Sequence, residues 1–221
     1  MSASSIRSLF LEGPAGRLEA VLNTGQASPA YAALVAHPHP LYGGTMHNKV
    51  VYHLAKTLNE LGFPVLRFNF RGAGASQGEH DHGRGEVEDV RTALAWLAGE
   101  FRAPIVFAGF SFGAAVGLRA ACPDERVRAL IALGLPLDAD SRQYEYEFLE
   151  GCTKPKLFVS GERDEFAPHQ ALAQLIAGLP GPHRFVSIAG ADHFFTGNLP
   201  AMQAAVKAWV EEILPGGRVA V

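Results

Sequence analysis

The feature that most constrains this sequence is the pentapeptide Gly109-Phe110-Ser111-Phe112-Gly113, which lies between two different kinds of segment. The run before it, residues 103–110, is short, apolar and opened by a proline, as expected of a buried strand. The run after it, residues 113–121, is rich in small residues and compatible with a helix. A serine on a tight strand-to-helix turn needs small neighbours, because bulkier ones collide with the adjoining backbone. The pattern therefore predicts a nucleophile elbow centred on Ser111.

Length and composition limit the chain to one core of ordinary size. With 221 residues, 48% of them hydrophobic, a single domain over residues 1–221 is expected, with about 215–221 as a flexible tail. The 19 basic and 22 acidic residues give a formal charge of -3 with no basic block, so we expect no nucleic-acid partner. Residues 1–11 lack the pattern of a signal peptide, and no apolar run is long enough to span a membrane. We expect a cytoplasmic protein without a membrane partner.

Two cysteines, Cys122 and Cys152, are too few for a disulfide framework. A reduced protein is the expectation, and a single disulfide between the two stays open. No pattern calls for a cofactor.

Hydrophobic periodicity predicts an α/β fold in which strands and helices alternate. Strands are predicted at 6–12, 17–23, 31–36, 63–70, 103–110, 127–133, 156–160 and 184–188, and helices at 48–61, from Val87 to Leu97, at 113–121, around Leu172 to Ile176 and from Met202 to Ile213. The expected architecture is a mostly parallel central sheet with an N-terminal antiparallel hairpin and helices on both faces. Residues 138–150 offer the only room for a lid, so no large lid domain is expected.

A serine hydroxyl needs a neighbouring base, and histidine has the pKa suited to that task at neutral pH. Reactive groups in a parallel sheet collect beyond the carboxyl ends of the strands. His193 follows the last predicted strand and Asp164 follows the strand before it. The order Ser111, Asp164, His193 is that of one of the three known triad arrangements, and we predict that these residues form a catalytic triad.

Other acids compete for the position of Asp164. Asp138 and Asp140 follow the preceding strand and could supply the carboxylate from there. Glu165 lies one position further round the turn, and Asp192 is peptide-adjacent to His193, which makes a bond to that ring awkward. Asp164 is the favoured acid.

The predicted mechanism also needs two N–H donors for the oxyanion formed on the attacked carbonyl. One is the amide of Phe112, the residue after the nucleophile. The other is expected from the loop after the third strand, where Pro38 and Pro40 have no N–H. His39, Leu41 and Tyr42 remain, and Leu41 is favoured because its amide lies just before a glycine pair.

Together these motifs resemble the α/β-hydrolase superfamily, and within it small uncapped members similar to dienelactone hydrolases and serine-aminopeptidase-like enzymes. The resemblance rests on Gly109-x-Ser111-x-Gly113, His37-Pro38-His39-Pro40 with Gly43-Gly44, Phe70-Arg71-Gly72-x-Gly74-x-Ser76-x-Gly78, Gly161-x-x-Asp164-x-x-x-Pro168 and Asp192-His193. It implies Ser111 as nucleophile, His193 as base, Asp164 as its orienting acid, and the amides of Leu41 and Phe112 as the oxyanion hole. Two departures leave the substrate open: dienelactone hydrolases have cysteine at the elbow, and lipases commonly have His-Gly-Gly-Gly where this chain has His-Pro-His-Pro.

Two further classes of function compete with a serine hydrolase. His37-x-His39 and His80-Asp81-His82 partly match the first ligands of metal-dependent hydrolases, but both patterns are incomplete and no metal site is predicted. A binding module that kept the fold and lost its activity is the second alternative, and the intact set of Ser, His, Asp and oxyanion residues argues against it.

Aromatic residues cluster in sequence around the predicted triad and could line an apolar acyl pocket or pack in the core. The substrate-binding candidates are Tyr42, Phe110, Phe166 and Phe194. Tyr144 and Tyr146 could edge the site from the short lid segment, with no ground for choosing between them. The sequence thus predicts a carboxylesterase-like serine hydrolase acting on a small to medium acyl ester or thioester. It leaves open the natural substrate and the oligomeric state.

Overall fold

The structure is a computed structural model, which describes residues 5–139 and 142–214. The strands are β1 (Ile6–Gly13), β2 (Gly16–Asn23), β3 (Ala32–Ala36), β4 (Val65–Phe68), β5 (Ile105–Phe110), β6 (Val127–Leu133), β7 (Asp138–Ala139), β8 (Arg142–Gln143), β9 (Lys156–Gly161) and β10 (His183–Ile188). The helices are α1 (Lys49–Glu60), α2 (Arg84–Phe101), α3 (Phe112–Ala121), α4 (His169–Ala177) and α5 (Leu199–Ile213). The tail predicted for 215–221 lies outside the described residues.

Eight strands form one sheet in the order β1-β2-β4-β3-β5-β6-β9-β10. The β1–β2 hairpin is antiparallel and joins the rest through an antiparallel β2–β4 pairing, while the pairs from β4 to β10 are parallel. This confirms the predicted mixed sheet with an antiparallel start. Because β5, β6, β9 and β10 run in the same direction, their carboxyl ends meet along one edge of the sheet.

Helices cover both faces of the sheet and enclose two apolar cores. On one face, α1 and α5 pack over side chains such as Val35 and Val106. On the other, α2, α3 and α4 pack over side chains such as Leu34 and Phe107. Strands buried on both faces explain the nearly continuous apolar runs in the sequence. In the described part of the chain, no helix has the length and apolarity needed to cross a membrane.

The long loop after β4 is fixed to α2 by a buried ion pair. Arg71 donates through Nη2 and Nε to the carboxylate of Asp89, at 2.7 Å and 3.0 Å, and its amide donates to the same carboxylate at 3.0 Å. A β-carbon at Gly85 would lie 2.0 Å from Nη1 of Arg71, so the first turn of α2 needs a glycine there. The helix begins at Arg84, three residues before the predicted start at Val87.

The segment considered for a lid is small. Its described residues form the two-residue strands β7 and β8 and a short 3-10 helix, Glu147–Gly151. No lid domain is present among residues 5–139 and 142–214, as expected from the sequence.

Candidate active site

Ser111 occupies the turn between β5 and α3, with φ 55° and ψ -125°. This backbone conformation is strained for a residue with a side chain, and such strain is concentrated at functional sites. The flanking glycines make the turn possible, since a β-carbon at Gly109 would lie 2.7 Å from the Ala114 backbone and one at Gly113 would lie 2.3 Å from the carbonyl oxygen of His37. The predicted strand–turn–helix setting of Ser111 is therefore present.

The three residues predicted as a triad lie together at the carboxyl edge of the sheet. Nε2 of His193 is 2.9 Å from Oγ of Ser111, and Nδ1 of His193 is 2.9 Å from each carboxylate oxygen of Asp164. The imidazole thus bridges the hydroxyl and the carboxylate. In the tautomer that satisfies both contacts, Nδ1 carries the proton and Nε2 accepts from the serine.

The Asp164 carboxylate is buried and held by two further donors. The hydroxyl of Ser160 donates to it at 3.1 Å, and the amide of Phe166 donates at 3.0 Å. Gly161, at the end of β9, lets the Asp164 turn lie directly on the His193 loop, because a β-carbon there would be 2.4 Å from the Asp192 carbonyl oxygen. These donors hold the carboxylate in the orientation in which it contacts Nδ1 of His193.

Among the described contacts, Nδ1 of His193 pairs with Asp164 and not with Asp138 or Asp192. Asp138 lies on β7 with an exposed side chain, and Asp140 lies outside the described residues. The carboxylate of Asp192 accepts from the amide of Thr196 at 2.8 Å and is used within its own loop.

The imidazole of His193 is buried among aromatic rings. The ring centroids of Phe110, Phe166 and Phe194 lie 5.0, 4.6 and 5.1 Å from its own. Gly134, which follows β6 with φ 51°, lies against the same ring. Sequence reasoning missed Gly134, whose only signal is a lone glycine at the carboxyl end of a strand.

Beside Ser111 and His193 lies a cavity of about 280 Å³. Its aromatic walls come from Tyr42, Phe112, Tyr144, Phe166 and Phe194, and its polar side chains include His39 and Asn48. Tyr144 also borders a larger cleft, of about 480 Å³, which contains Arg84 and Arg119 and does not reach Ser111. Of the two tyrosines in the lid segment, Tyr144 therefore edges the site. Tyr146 is buried and donates its hydroxyl to the carbonyl of Pro136 at 2.6 Å.

Two predicted site residues do not line the cavity. Phe110 is completely buried beneath His193 and does not line the cavity, because it points into the core from the last position of β5. Leu41 lies in a short 3-10 helix, Pro40–Tyr42, with 65% of its surface exposed. Its amide donates to Nδ1 of His39 at 3.3 Å, and Leu41 is not among the described residues that line the cavity.

Both ring nitrogens of His37, the first histidine of the His-Pro-His-Pro segment, form hydrogen bonds with backbone groups. Its Nε2 accepts from the amide of Phe70 at 2.9 Å, and its Nδ1 donates to the carbonyl of Pro38 at 2.6 Å. Burial, opposed by the bond to Pro38 and reinforced by His39, lowers the pKa of His37 to about 4. His37 is consequently neutral at pH 7 and ties the end of β3 to the end of β4.

The second histidine-rich segment packs beside the elbow. Nδ1 of His80 lies 2.8 Å from the buried carboxylate of Glu86, and the rings of His80 and His39 are 4.7 Å apart. The ring of His39 lies 4.5 Å from that of Phe112. Within residues 5–139 and 142–214, no three His, Cys, Asp or Glu side chains are grouped so that they could hold a metal ion.

Comparisons with known proteins identify the family and the fold of this chain. The family model described as alpha/beta hydrolase domain matches residues 31–209, a range that includes Ser111, Asp164 and His193. An uncharacterized protein of Rickettsia prowazekii is 36% identical over 194 residues, which cover 85% of this chain and 81% of that protein.

Two solved structures extend the similarity to three dimensions. An alpha-beta serine hydrolase homologue from Coxiella burnetii is 35% identical with a TM-score of 0.85, covering 95% of this chain and 99% of that one. A serine hydrolase without a lid from Xanthomonas campestris is 33% identical with a TM-score of 0.84, covering 97% and 98% of the two chains.

Proposed function

This chain belongs to the α/β-hydrolase superfamily, as a member without a lid, and we propose that it cleaves a carboxylic ester or thioester through an acyl-Ser111 intermediate. The observation that carries the proposal is the continuous contact from Ser111 through His193 to Asp164, with each donor–acceptor distance at 2.9 Å. Serine and cysteine nucleophiles depend on such a base, which is itself oriented by a third group.

Acylation begins when Nε2 of His193 takes the proton of the Ser111 hydroxyl while Oγ bonds to the substrate carbonyl carbon. The resulting imidazolium is stabilised by the ionised Asp164 carboxylate, which also keeps the ring in the reactive tautomer. His193 then returns the proton to the leaving oxygen or sulfur as its bond to the carbonyl carbon breaks.

Deacylation repeats these steps with water. His193 takes a proton from water, the hydroxide oxygen bonds to the acyl carbon, and the proton returns to Oγ of Ser111 as the ester bond breaks. The product acid leaves and the serine is restored.

For the oxyanion, we propose the amides of Phe112 and His39. Phe112 is the first residue of α3, where a helix amide has no acceptor within the helix. Of the loop candidates, the amide of Leu41 is directed to the ring of His39 and that of Tyr42 to the carbonyl of His39 at 3.2 Å. His39 lines the cavity with Ser111 and Phe112, and this position supports it over Leu41.

The volume and the lining of the cavity beside Ser111 favour a substrate with an apolar acyl group of limited size. Its walls are predominantly aromatic and enclose about 280 Å³, at the lower end of small-molecule sites. We propose that Tyr42, Phe166 and Phe194 contact the acyl chain.

The test compares Ser111→Ala with the parent enzyme in p-nitrophenyl acetate hydrolysis and in labelling by a fluorophosphonate. The expected result is a loss of turnover of about 10³- to 10⁶-fold and no covalent adduct. Ser187→Ala is the matched control, because Ser187 is an exposed serine on β10 outside the site. Undiminished hydrolysis by Ser111→Ala rules the proposal out, and a parent protein that binds esters without hydrolysing them or labelling is a binding module instead.

A further inference from the structure

Asn48 lies where α1 meets the cavity beside Ser111. It is the N-cap residue of α1, and it is also one of the residues that line the cavity. Among the other polar side chains of this lining, those of Ser111 and His193 are used by the triad. The side chain of Asn48 takes no part in the proton transfers, and a polar group between aromatic walls needs a hydrogen-bond partner.

The N-terminus of α1 determines how the side-chain amide of Asn48 is oriented. Its Oδ1 accepts from the backbone amide of Val50 at 2.9 Å and from that of Val51 at 3.4 Å, as expected of an asparagine N-cap. The opposite assignment would direct the hydrogens of Nδ2 at two N–H donors, which is unfavourable. Oδ1 is therefore committed to the helix, and Nδ2 lies on the other side of the amide group.

In the described part of the chain, no hydrogen bond uses Nδ2 of Asn48. Nδ2 is also accessible, because the buried side-chain nitrogen and oxygen atoms that lack a partner among the described residues are Nε of Arg67 and Nδ1 of His80. With Oδ1 turned to α1, Nδ2 is the polar atom that Asn48 offers to a molecule in the cavity. The cavity thus contains a donor whose orientation is set before a substrate binds.

The surroundings of this donor favour a neutral acceptor over a charged one. The cavity walls are mainly aromatic, and the described lining residues include no lysine or arginine. A carboxylate on the acyl chain would lose its hydration there without a compensating positive charge. An ether, hydroxyl or carbonyl oxygen loses less hydration on entering, and one N–H donor satisfies it.

We infer that Nδ2 of Asn48 determines specificity, by selecting substrates whose acyl group carries a neutral oxygen in an otherwise apolar chain. The inference rests on the proposed function, because the acyl group enters this cavity as part of the ester cleaved at Ser111. No covalent bond changes at Asn48, which acts by binding the acyl chain. A chain without the oxygen leaves Nδ2 unpaired in an apolar cavity, and this loss produces the discrimination.

The first experiment compares pairs of p-nitrophenyl esters in which an ether oxygen replaces one methylene of the acyl chain. Methoxyacetate is paired with butyrate, 3-methoxypropionate with pentanoate and 4-methoxybutyrate with hexanoate, so that the oxygen moves along chains of matched length. The readout is the ratio of kcat/KM for the ether to kcat/KM for the alkyl ester in each pair. Comparing this ratio between parent and variant cancels the difference in intrinsic reactivity of the two esters.

The variants remove the donor and keep the helix cap. Asn48→Asp and Asn48→Ser both retain an oxygen for the first amides of α1, and all three residues cap helices about equally well. Asp has the shape of Asn without a donor, and Ser is neutral and too short to place a donor where Nδ2 lies. For at least one ester pair, both variants should lower the ether-to-alkyl ratio by about 2- to 10-fold, the effect of one neutral hydrogen bond. Asn198→Ser is the matched control, because Asn198 is the N-cap residue of α5 and does not line the cavity, and it should leave every ratio unchanged.

A second measurement needs no turnover. In Ser111→Ala, NMR titration with the corresponding methyl esters gives the ratio of the two Kd values in each pair, and adding Asn48→Asp should reduce the preference for the ether by a similar factor. Ratios that stay equal in the parent, Asn48→Asp and Asn48→Ser, in proteins that keep the Tm of the parent, overturn the inference and leave ester hydrolysis intact. So does an equal change of the ratios in Asn198→Ser. A parent that hydrolyses none of the esters refutes the proposed function instead, and the Kd ratios then decide the inference.

Discussion

The backbone of Gly134 leaves the space in which the imidazole of His193 lies. A β-carbon at Gly134 would be 3.0 Å from Cε1 and 3.2 Å from Nδ1 of His193, and 3.0 Å from the ring of Phe110. The added β-carbon would therefore press on both buried rings, of which His193 is the one that contacts Ser111. The position of the base therefore depends on a residue with no side chain, which follows a strand that carries none of the triad.

Gly134→Ala should lower kcat/KM, but by less than the roughly 100-fold that a displacement of about 1 Å in a catalytic group can cause, because a β-carbon at 3.0 Å requires only a small shift of the ring. The measurement is p-nitrophenyl acetate hydrolysis, with thermal unfolding of the same samples. Gly190→Ala is the control, because Gly190 has a similar positive φ of 66° and nothing within 4 Å of the added β-carbon. It should carry the backbone strain and keep most of the activity. Full turnover in Gly134→Ala would show that the contact does not position His193.

Replacing single amides by esters distinguishes the oxyanion donors, because this change removes one N–H and preserves the side chain. An ester at the Phe112 position should lower kcat by about 10²- to 10³-fold, the usual effect of losing one oxyanion donor. An ester at the Leu41 position should change kcat little, since that amide is directed to His39. The replacements are made by incorporating the corresponding α-hydroxy acids. An equally large loss at Leu41 would restore that residue as the second donor.

The arrangement of Ser111, Asp164 and His193 could be predicted from the sequence because parallel strands determine it. Each residue follows the carboxyl end of a strand, and those ends lie along one edge whatever the details of the loops. The oxyanion role of Leu41 stays a prediction, because the direction of its amide depends on a 3-10 turn that closes on the ring of His39 and not on the order of the strands. The spacing of glycines in the sequence does not determine the direction of the backbone amides in such a turn.

The directions of two side chains, those of Phe110 and His37, explain why their roles could not be predicted from the sequence. Phe110 was predicted to line the pocket because it is adjacent to Ser111, but the elbow turns the chain between them, so the ring enters the core. The role of His37 depends on the amide of Phe70, 33 positions away, which no local pattern reveals. Such contacts between the ends of neighbouring strands form only in the folded chain, so the local sequence around His37 does not indicate that its ring meets the amide of Phe70.

The aromatic cavity predicts an optimum in acyl chain length. Across p-nitrophenyl esters of increasing length, kcat/KM should rise while the chain fills the 280 Å³ cavity and fall when it no longer fits. Phe194→Ala should move the optimum to longer chains. Phe10→Ala is the control, since Phe10 is 46% exposed and Phe194 is 48% exposed, but Phe10 lies on β1 outside the cavity. A length profile that Phe194→Ala leaves unchanged would mean that this ring does not contact the acyl chain.

The Arg71–Asp89 ion pair should contribute strongly to stability when only one partner is removed. Asp89→Asn leaves a buried guanidinium without its charge partner, and we expect a loss of about 3–5 kcal/mol in the free energy of unfolding. The double variant with Arg71→Met should recover part of this loss, because it removes the unpaired charge. Glu212→Gln, which breaks the exposed pair with Arg184, should cost less than about 1 kcal/mol. Urea unfolding of the parent and these three variants measures the losses, and equal effects at the two pairs would contradict the prediction.

His37 should make stability depend on pH between about 6.5 and 4. Its pKa is about 4 in the folded protein against 6.5 when exposed, chiefly because burial disfavours the charged ring. The unfolded chain therefore binds more protons in this range, so the stabilisation is complete above pH 6.5 and is lost as pH falls towards 4, by about 3 kcal/mol in total. In His37→Gln the side chain can still accept from the amide of Phe70 and does not titrate. Urea unfolding at pH 7 and pH 4.5 should show a smaller difference for this variant than for the parent, and equal differences would mean that His37 is not the group responsible.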